Sequence, residues 1–335
     1  MTAGALPDPV DAWLERRVLI TGGLGFIGST LARRLSDLGA AVTVIDNMMP
    51  SHGGHHFNLE GYSDRISVHL CDLRYSDSLE QLLEDQDLIF NMAGQTSHLD
   101  SMHDPDTDLS INVVAQLRLL ECCRRKAPGA RLVFASTRQL YGKPQYLPVD
   151  ESHPVEPVDV NGINKLSAEM YHLLYAKVHG LSACVLRLTN TIGPRMRIRD
   201  ARQTFLGIWV RRLLEGEAIE VWGGEQLRDF NDVDDVVDAM LLAASDRDLP
   251  AVPFNLGSSE VISLTDLARL MIQIHGAGEL RITPYPEERK KIDIGDYYSC
   301  YDRFQAATGW QPKRSLSQSL ERTLAYYKVN LPNYI

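Results

Sequence analysis

The segment Val18-Leu19-Ile20-Thr21-Gly22-Gly23-Leu24-Gly25-Phe26-Ile27-Gly28 constrains this chain more than any other, because it reads as one local geometry: a buried strand, a glycine turn and a helix N-terminus. Gly23, Gly25 and Gly28 have G-x-G-x-x-G spacing, which supplies a tight turn, close backbone approach to a pyrophosphate and close packing of helix on strand. The anion then lies where unpaired N–H groups and the helix dipole favour it. Taken alone, the pattern is equally an ordinary βα turn, and its surroundings decide. Ser29 to Leu35 has helical spacing with Gly39 as a stop, and Ala41 to Ile45 reads as a second strand ending on Asp46, eighteen residues after Gly28. A carboxylate there accepts hydrogen bonds from adenosine ribose hydroxyls and repels a 2′-phosphate. Asn47 and Met48 bring no cation to reverse that choice, so the expected cofactor is NAD and not NADP.

Strands and helices alternate over the first two-thirds of the chain, the pattern of a parallel sheet covered on both faces. Further strands are expected at Ile66 to Leu70, Leu88 to Met92, Arg131 to Ala135 and Ala183 to Leu188, with helices at Ser76 to Leu83, Asp106 to Lys126 and Gly162 to His179. After Leu188 the rhythm changes, with Arg195, Arg197, Arg199 and Arg202 crowding a short span. The expected fold is α/β: a Rossmann-type doubly wound parallel sheet with a smaller, interleaved C-terminal substrate-binding lobe. Residues 1–14, with Pro7 and Pro9, read as a flexible lead-in, 15–190 as the dinucleotide-binding domain, and 191–231 with 259–335 as the second lobe. A helix from Asp232 to Ala244 and a strand from Val252 to Leu256 place 232–258 back in the first domain. With 335 residues, 44% of them hydrophobic, the chain can bury a large core.

A formal charge of −10 argues against a nucleic-acid partner. No segment reads as a membrane span or a signal peptide. Five cysteines without C-x-x-C spacing indicate neither a zinc site nor a disulfide framework, which points to a reducing, cytoplasmic setting. His52, His55 and His56 have no Cys or acidic neighbour in sequence, so they read as a solvated loop, and no metal is expected.

Several further motifs, in order along nearly the whole chain, resemble the extended short-chain dehydrogenase/reductase family in its nucleotide-sugar epimerase and dehydratase branch. They are Thr21 to Gly28, Asp72-Leu73, Asn91-Met92-Ala93-Gly94, Asn112, Arg187 to Arg195, and Gly223 to Asp235 with its internal Arg228-Asp229-Phe230. The resemblance implies NAD contacts from Gly22, Gly25, Phe26, Ile27, Gly28, Asp46, Asn47, Asp72, Leu73, Met92, Ala93, Gly94, Asn112 and Lys165. It implies that Thr137, Arg138, Asn190, Arg228 and Arg289 hold a nucleotide-diphosphate sugar. Guanidinium groups suit phosphate oxygens because they present a planar fork of donors. Relatives pair through two long helices, so a homodimer joined through Asp106 to Lys126 and Gly162 to His179 is expected.

Catalysis in the family uses a Ser or Thr, a Tyr and a Lys. Thr137 and Lys165 occupy two of these positions, whereas Asn161 stands four residues before the lysine where tyrosine is expected. An amide can hydrogen-bond a sugar hydroxyl but cannot act as a general base near neutral pH. Tyr141, Tyr146, His98 and Lys165 itself are candidates to move the proton. His98, just after the Asn91 to Gly94 strand end, is preferred. The dehydratase pattern has Asp-Glu after the catalytic Thr; Arg138-Gln139 stands there instead, which disfavours dehydration and also a decarboxylation that relies on the Glu. The leading expectation is an NAD-dependent 4-epimerase working through a transient keto-sugar. A ketoreductase or atypical lyase, and a binding protein without turnover, are the alternatives.

Overall fold

A computed structural model of the chain describes residues 12–49, 52–75, 78–202, 204–286 and 292–335. Seven strands form the main sheet: β1 (Arg17–Thr21), β2 (Ala41–Asp46), β3 (Ile66–Leu70), β4 (Leu88–Asn91), β5 (Arg131–Thr137), β6 (Ser182–Leu188) and, after three strands of the other lobe, β10 (Pro253–Asn255). Their order is β10-β6-β5-β4-β1-β2-β3, and every pairing is parallel. The apolar runs of β1, β4 and β6 are buried almost throughout, as expected for strands covered on both faces. The order reverses between β1 and β4, and a crevice opens beyond the carboxyl ends of the strands at such a point.

The helices are α1 (Phe26–Asp37), α2 (Leu79–Leu83), α3 (His98–His103), α4 (Pro105–Leu109), α5 (Ala115–Lys126), α6 (Val160–His179), α7 (Phe205–Leu214), α8 (Val233–Ser245), α9 (Leu264–His275), α10 (Asp302–Thr308) and α11 (Leu316–Asn330). Helix α6 starts where Asp159 caps it, its side chain accepting the Gly162 N–H, and ends at the left-handed Gly180. The single helix expected from Asp106 to Lys126 is interrupted by a π turn at Ser110–Val114. Of the helix expected from Ser76, the start lies outside the described residues. Residues 1–11 of the expected lead-in lie there too, but Trp13 is only 3% exposed and belongs to the core cluster of Val18, Ile20 and Leu35, so the chain is tied to the core from Trp13.

The second lobe contains β7 (Asn190–Ile192), β8 (Ile219–Trp222), β9 (Leu227–Asp232), β11 (Val261–Ser263) and β12 (Leu280–Thr283), arranged as a three-stranded sheet β11-β9-β7 and a parallel pair β12-β8. Its core joins α7, α9 and α11 through Leu206, Trp209, Leu267, Met271, Leu320 and Tyr327. Between these pieces the chain returns to the first lobe, where α8 contributes Val236 and Met240 to the main core and β10 pairs with β6 in the register Phe254↔Leu186. The two lobes are therefore stitched together by several chain crossings, and β9 leads directly from one into the other.

Candidate functional site

A cleft of about 490 Å³ runs across the carboxyl ends of the main strands and under the second lobe. The glycine turn forms its floor. Gly22 has φ +66°, and a Cβ there would stand 2.9 Å from Ala93 Cα; a Cβ on Gly28 would stand 2.3 Å from the Gly22 carbonyl oxygen. Helix α1 begins at Phe26, after the N-cap Gly25, with no side-chain cap and no acidic residue in its first turn. Its first amides are thus left for an anion from outside, which is what a pyrophosphate-binding turn requires. Asp46 lies at the end of β2, accepting the Leu24 and Met48 N–H groups, and its burial raises the carboxyl above the usual carboxylate range. Asp72 accepts hydrogen bonds from Arg74 and Asn47, and chiefly the Arg74 bonds hold its carboxyl down at about 2.

Phe26, Ile27, Asn47, Leu73, Met92, Ala93 and Gly94 line this same cleft. Asn112 does not. It is fully buried beneath the wall, where Oδ1 accepts the Gln95 N–H and Nδ2 donates to Gln95 O and Asp108 Oδ1. The π turn brings it there. Asn112 therefore shapes the loop after β4 and is not itself on the cleft wall, which corrects its expected place among the cofactor contacts.

The catalytic candidates stand on one side. Along β5 the side chains alternate, so Ser136 turns inward to Glu169 Oε2 at 2.6 Å while Thr137 turns to the cleft and caps the Arg138–Tyr141 turn. Lys165 reaches Ala135 O at 2.9 Å, with Nζ 4.7 Å from the Phe134 ring centroid. Burial lowers its ammonium to about 8, against opposing pulls from Asp108 and Glu169. Asn161, one turn before, has Nδ2 within 2.8 Å of Gln95 O and 2.9 Å of Asp108 Oδ2. Both partners are acceptors, which fixes the amide's orientation and leaves Oδ1, an acceptor, as its remaining group on the cleft.

His98 opens α3 at the cleft wall, and its Nδ1 is 3.0 Å from Asp159 Oδ2, within ion-pair distance but out of line for a hydrogen bond. Burial pushes the Asp159 carboxyl up, but His98, the Gly162 N–H and Gln139 together hold it below its ordinary value. Gln139 is the residue standing in the place of the dehydratase Glu, and its Nε2 donates to Asp159 Oδ2 at 2.9 Å. Neither alternative phenol reaches the cleft: Tyr141 is buried between Asn255 and Arg187 with its hydroxyl pushed up to about 12 by burial, and Tyr146 lies at the surface bound to Asp150.

Across the cleft, Arg138 Nη2 donates to Asn190 Oδ1 at 3.2 Å, and Asn190 Nδ2 donates to Asp229 O. Arg228 donates to the backbone carbonyls of Leu227 and Gly295, with Asp293 at 3.8 Å, and burial lowers it to about 10. Arg289 lies outside the described residues. Among the described residues no group of acidic, histidine and cysteine side chains is arranged to hold a metal ion, and no helix is long and apolar enough to cross a membrane.

Residues 18–257 match the NAD dependent epimerase/dehydratase family. The chain belongs to that family. It is 32% identical over 95% of its length to UDP-glucuronic acid decarboxylase 1 of Xenopus tropicalis, covering 73% of that protein. It is 29% identical over 93% of its length to a putative UDP-glucose 4-epimerase of Methanocaldococcus jannaschii, covering 99% of it. Among solved structures, the UDP-glucose 4-epimerase of Thermotoga maritima with UDP-glucose superposes with a TM-score of 0.86 at 31% identity, over 94% of this chain and 99% of that one. Family membership agrees with the α/β fold and with NAD as the cofactor.

For a member of the NAD dependent epimerase/dehydratase family, the site has three components that the motifs did not indicate. Gln95 and Asp108 fix Asn161, Asp159 faces His98, and Tyr297 lies under Arg138 with its ring centroid 4.8 Å from the guanidinium. Asp159 is the one with a signal in the sequence, since it stands as an N-cap three residues before Gly162. The others come together only through the fold.

Proposed function

We propose that this chain is an NAD-dependent 4-epimerase of a UDP-sugar, in which His98 moves the proton that a tyrosine would otherwise carry. One observation carries the reading. Thr137, Lys165 and His98 line one cleft with the uncapped glycine turn, and His98 alone among them has a buried carboxylate facing the ring nitrogen remote from its working end. A carboxylate beside Nδ1 complements the positive charge an imidazole acquires when its other nitrogen takes a proton.

Bound NAD would supply a hydride acceptor and donor at the sugar carbon. Gly22, Gly25, Gly28 and Asp46 would hold its phosphate and ribose, and Lys165 its nicotinamide ribose. Thr137 donates a hydrogen bond to the reacting sugar hydroxyl, His98 takes the proton as the carbonyl forms, and it returns the proton after the sugar presents its other face. Asn161 Oδ1 accepts from a neighbouring sugar hydroxyl. Asn190 and Arg228 bind the diphosphate. A decarboxylase or dehydratase role is disfavoured because Gln139 carries no titrating group and is tied to Asp159.

The test is conversion of UDP-glucose and UDP-glucuronate to their C4 epimers by the NAD-loaded protein, followed by NMR. His98→Ala is expected to lower kcat by about 10²- to 10⁴-fold, the usual range for a general acid–base group. Full turnover in that variant would assign the proton to another group. Binding of UDP-sugars without conversion of either one would favour a protein that recognises its ligands without turning them over.

A homodimer is part of the same proposal. Ile163, Met170, Leu174 and Val178 recur along one face of α6 and are about half exposed or more, next to exposed Leu109 and Val114 on the packed helix. Exposed apolar residues recurring along one helix face are what a protein–protein interface would cover. Met170→Glu with Leu174→Glu is expected to halve the mass measured by light scattering while the monomer stays folded. An unchanged mass would remove this face as the interface.

A further inference from the structure

A turn whose amides are left for an anion cannot use them for internal bonds, so its orientation has to come from its carbonyls and from what packs behind it. Leu24, between Gly23 and Gly25, has both backbone groups engaged. Its N–H donates to Asp46 Oδ2 at 3.0 Å, and its carbonyl accepts from His55 N at 3.0 Å and from Asn58 Nδ2 at 2.8 Å. That carbonyl shares a peptide plane with the Gly25 N–H, which donates to Gly22 O, so holding the oxygen aims the plane.

Asn58 stands in the turn His56–Leu59 and is fully buried. Its contact with Leu24 fixes the sense of the bonds behind it. A carbonyl can only accept, so Nδ2 faces Leu24 and Oδ1 faces the other way. There Oδ1 accepts from the Tyr334 hydroxyl at 2.7 Å. With its one proton committed to Asn58, Tyr334 accepts in turn from the Tyr326 hydroxyl, also at 2.7 Å. Tyr326 lies on α11, and Tyr334 belongs to the core of the second lobe. A directed chain of hydrogen bonds thus runs from the second lobe into the glycine turn of the first.

A second contact crosses the same boundary. Arg195, a non-glycine residue at φ +74°, lays its guanidinium on Thr30 Oγ1 at 3.2 Å, and the Thr30 hydroxyl donates to Phe26 O in the first turn of α1. The guanidinium carbon is 5.9 Å from the Tyr326 ring centroid. A left-handed backbone at a residue that bears a side chain is strained and persists where its surroundings require it. Both the Leu24 carbonyl and the start of α1 are therefore held from the second lobe.

Resting on the glycine turn as the seat of NAD, we propose that Tyr334 is a positioning residue for the cofactor. Through Asn58 it keeps the Leu24–Gly25 peptide aimed, so NAD affinity depends on the docking of the second lobe and not on the dinucleotide-binding domain alone. Without the phenol hydroxyl, Asn58 Oδ1 loses its donor, the amide is free to leave Leu24, and the turn has to be ordered at the moment of binding.

The experiment is calorimetric titration of the cofactor-free full chain with NAD, with thermal unfolding of each protein, on the wild type, Tyr334→Phe, Asn58→Ala, the double variant and Tyr327→Phe. Tyr334→Phe keeps the ring that lies 5.0 Å from His55 and 5.6 Å from Phe57. It is expected to weaken NAD binding about 10-fold, the worth of one hydrogen bond. Asn58→Ala weakens it at least as much, and adding Tyr334→Phe to it costs no more than about twofold further, because the two residues act in series. Tyr327→Phe is the comparison for lobe packing. Its hydroxyl lies in the same core and donates to Met196 O, so it lowers the unfolding temperature while NAD affinity stays within about threefold of the wild type. Unchanged NAD affinity in Tyr334→Phe overturns the proposal. So does an equal loss in Tyr327→Phe, which would make the effect one of lobe packing, and so does a fully additive loss in the double variant. If Gly28→Ala also leaves NAD affinity unchanged, the seat itself is misplaced; if Gly28→Ala weakens binding and Tyr334→Phe does not, only this inference falls. Tyr334→Phe carries the test even if Asn58→Ala does not fold.

Discussion

Replacing Gly28 by alanine is expected to weaken NAD binding at least about 100-fold and to lower thermal stability as well. The added Cβ would stand 2.3 Å from the Gly22 carbonyl oxygen, 2.9 Å from Gly23 Cα and 3.0 Å from the Gly22 carbonyl carbon. All three neighbours are backbone, so no side chain can rotate away, and the first turn of α1 must lift off β1. Overpacking of this kind costs about 1–3 kcal/mol in stability. Binding suffers more, because the uncapped amides at the start of α1 act together only when aimed at one point, and each hydrogen bond to a charged phosphate that is lost costs about 1.5–3 kcal/mol. Gly129→Ala is the control, since nothing lies within 4 Å of a Cβ there. An NAD affinity in Gly28→Ala within threefold of the wild type would mean that the cofactor is not seated on this turn.

That turn is also the part of the molecule most legible in the sequence. The change from the buried run Val18 to Thr21 to helical spacing after Phe26 is local chemistry, and β1, α1 and β2 follow it closely. The expected strands at Ile66 to Leu70 and Leu88 to Met92 differ from β3 and β4 by one residue at most. The π turn at Ser110–Val114 was not legible, because a one-residue change of hydrogen-bond register leaves no mark on composition. It decides that Asn112 supports the Gln95 loop from behind. Asn161 shows the other limit. Its identity exposed the missing phenol, but its role depends on Gln95 and Asp108, 66 and 53 residues away. The same holds for His98: its type suggested a base, while the carboxylate facing it comes from the cap of α6.

On the proposed reading, in which Lys165 holds the nicotinamide ribose, Lys165→Met is expected to lower kcat by about 10²- to 10³-fold, since it removes a charged group beside the reacting centre. It is also expected to change how stability depends on pH, which a purely catalytic account would not require. In the folded chain the ammonium is held at about 8 by burial, below the 10.5 of an exposed lysine. Between those values the unfolded chain binds a proton that the folded chain lacks, so wild-type stability rises with pH across that window relative to the methionine variant. Below about 8 both states are protonated and the full penalty of burying the charge persists. The depression corresponds to a change of roughly 2–3 kcal/mol in the stability difference between pH 7 and pH 10. Methionine fills a similar volume but gives up the bond to Ala135 O and the contact with Phe134, which offset part of its advantage at pH 7. Urea unfolding of the cofactor-free proteins at the two pH values measures this directly. Parallel stabilities from pH 7 to 10 would mean that Lys165 is solvated in the folded state. A kcat loss without that pH signature would then assign Lys165 a contact with the ligand that needs no desolvation.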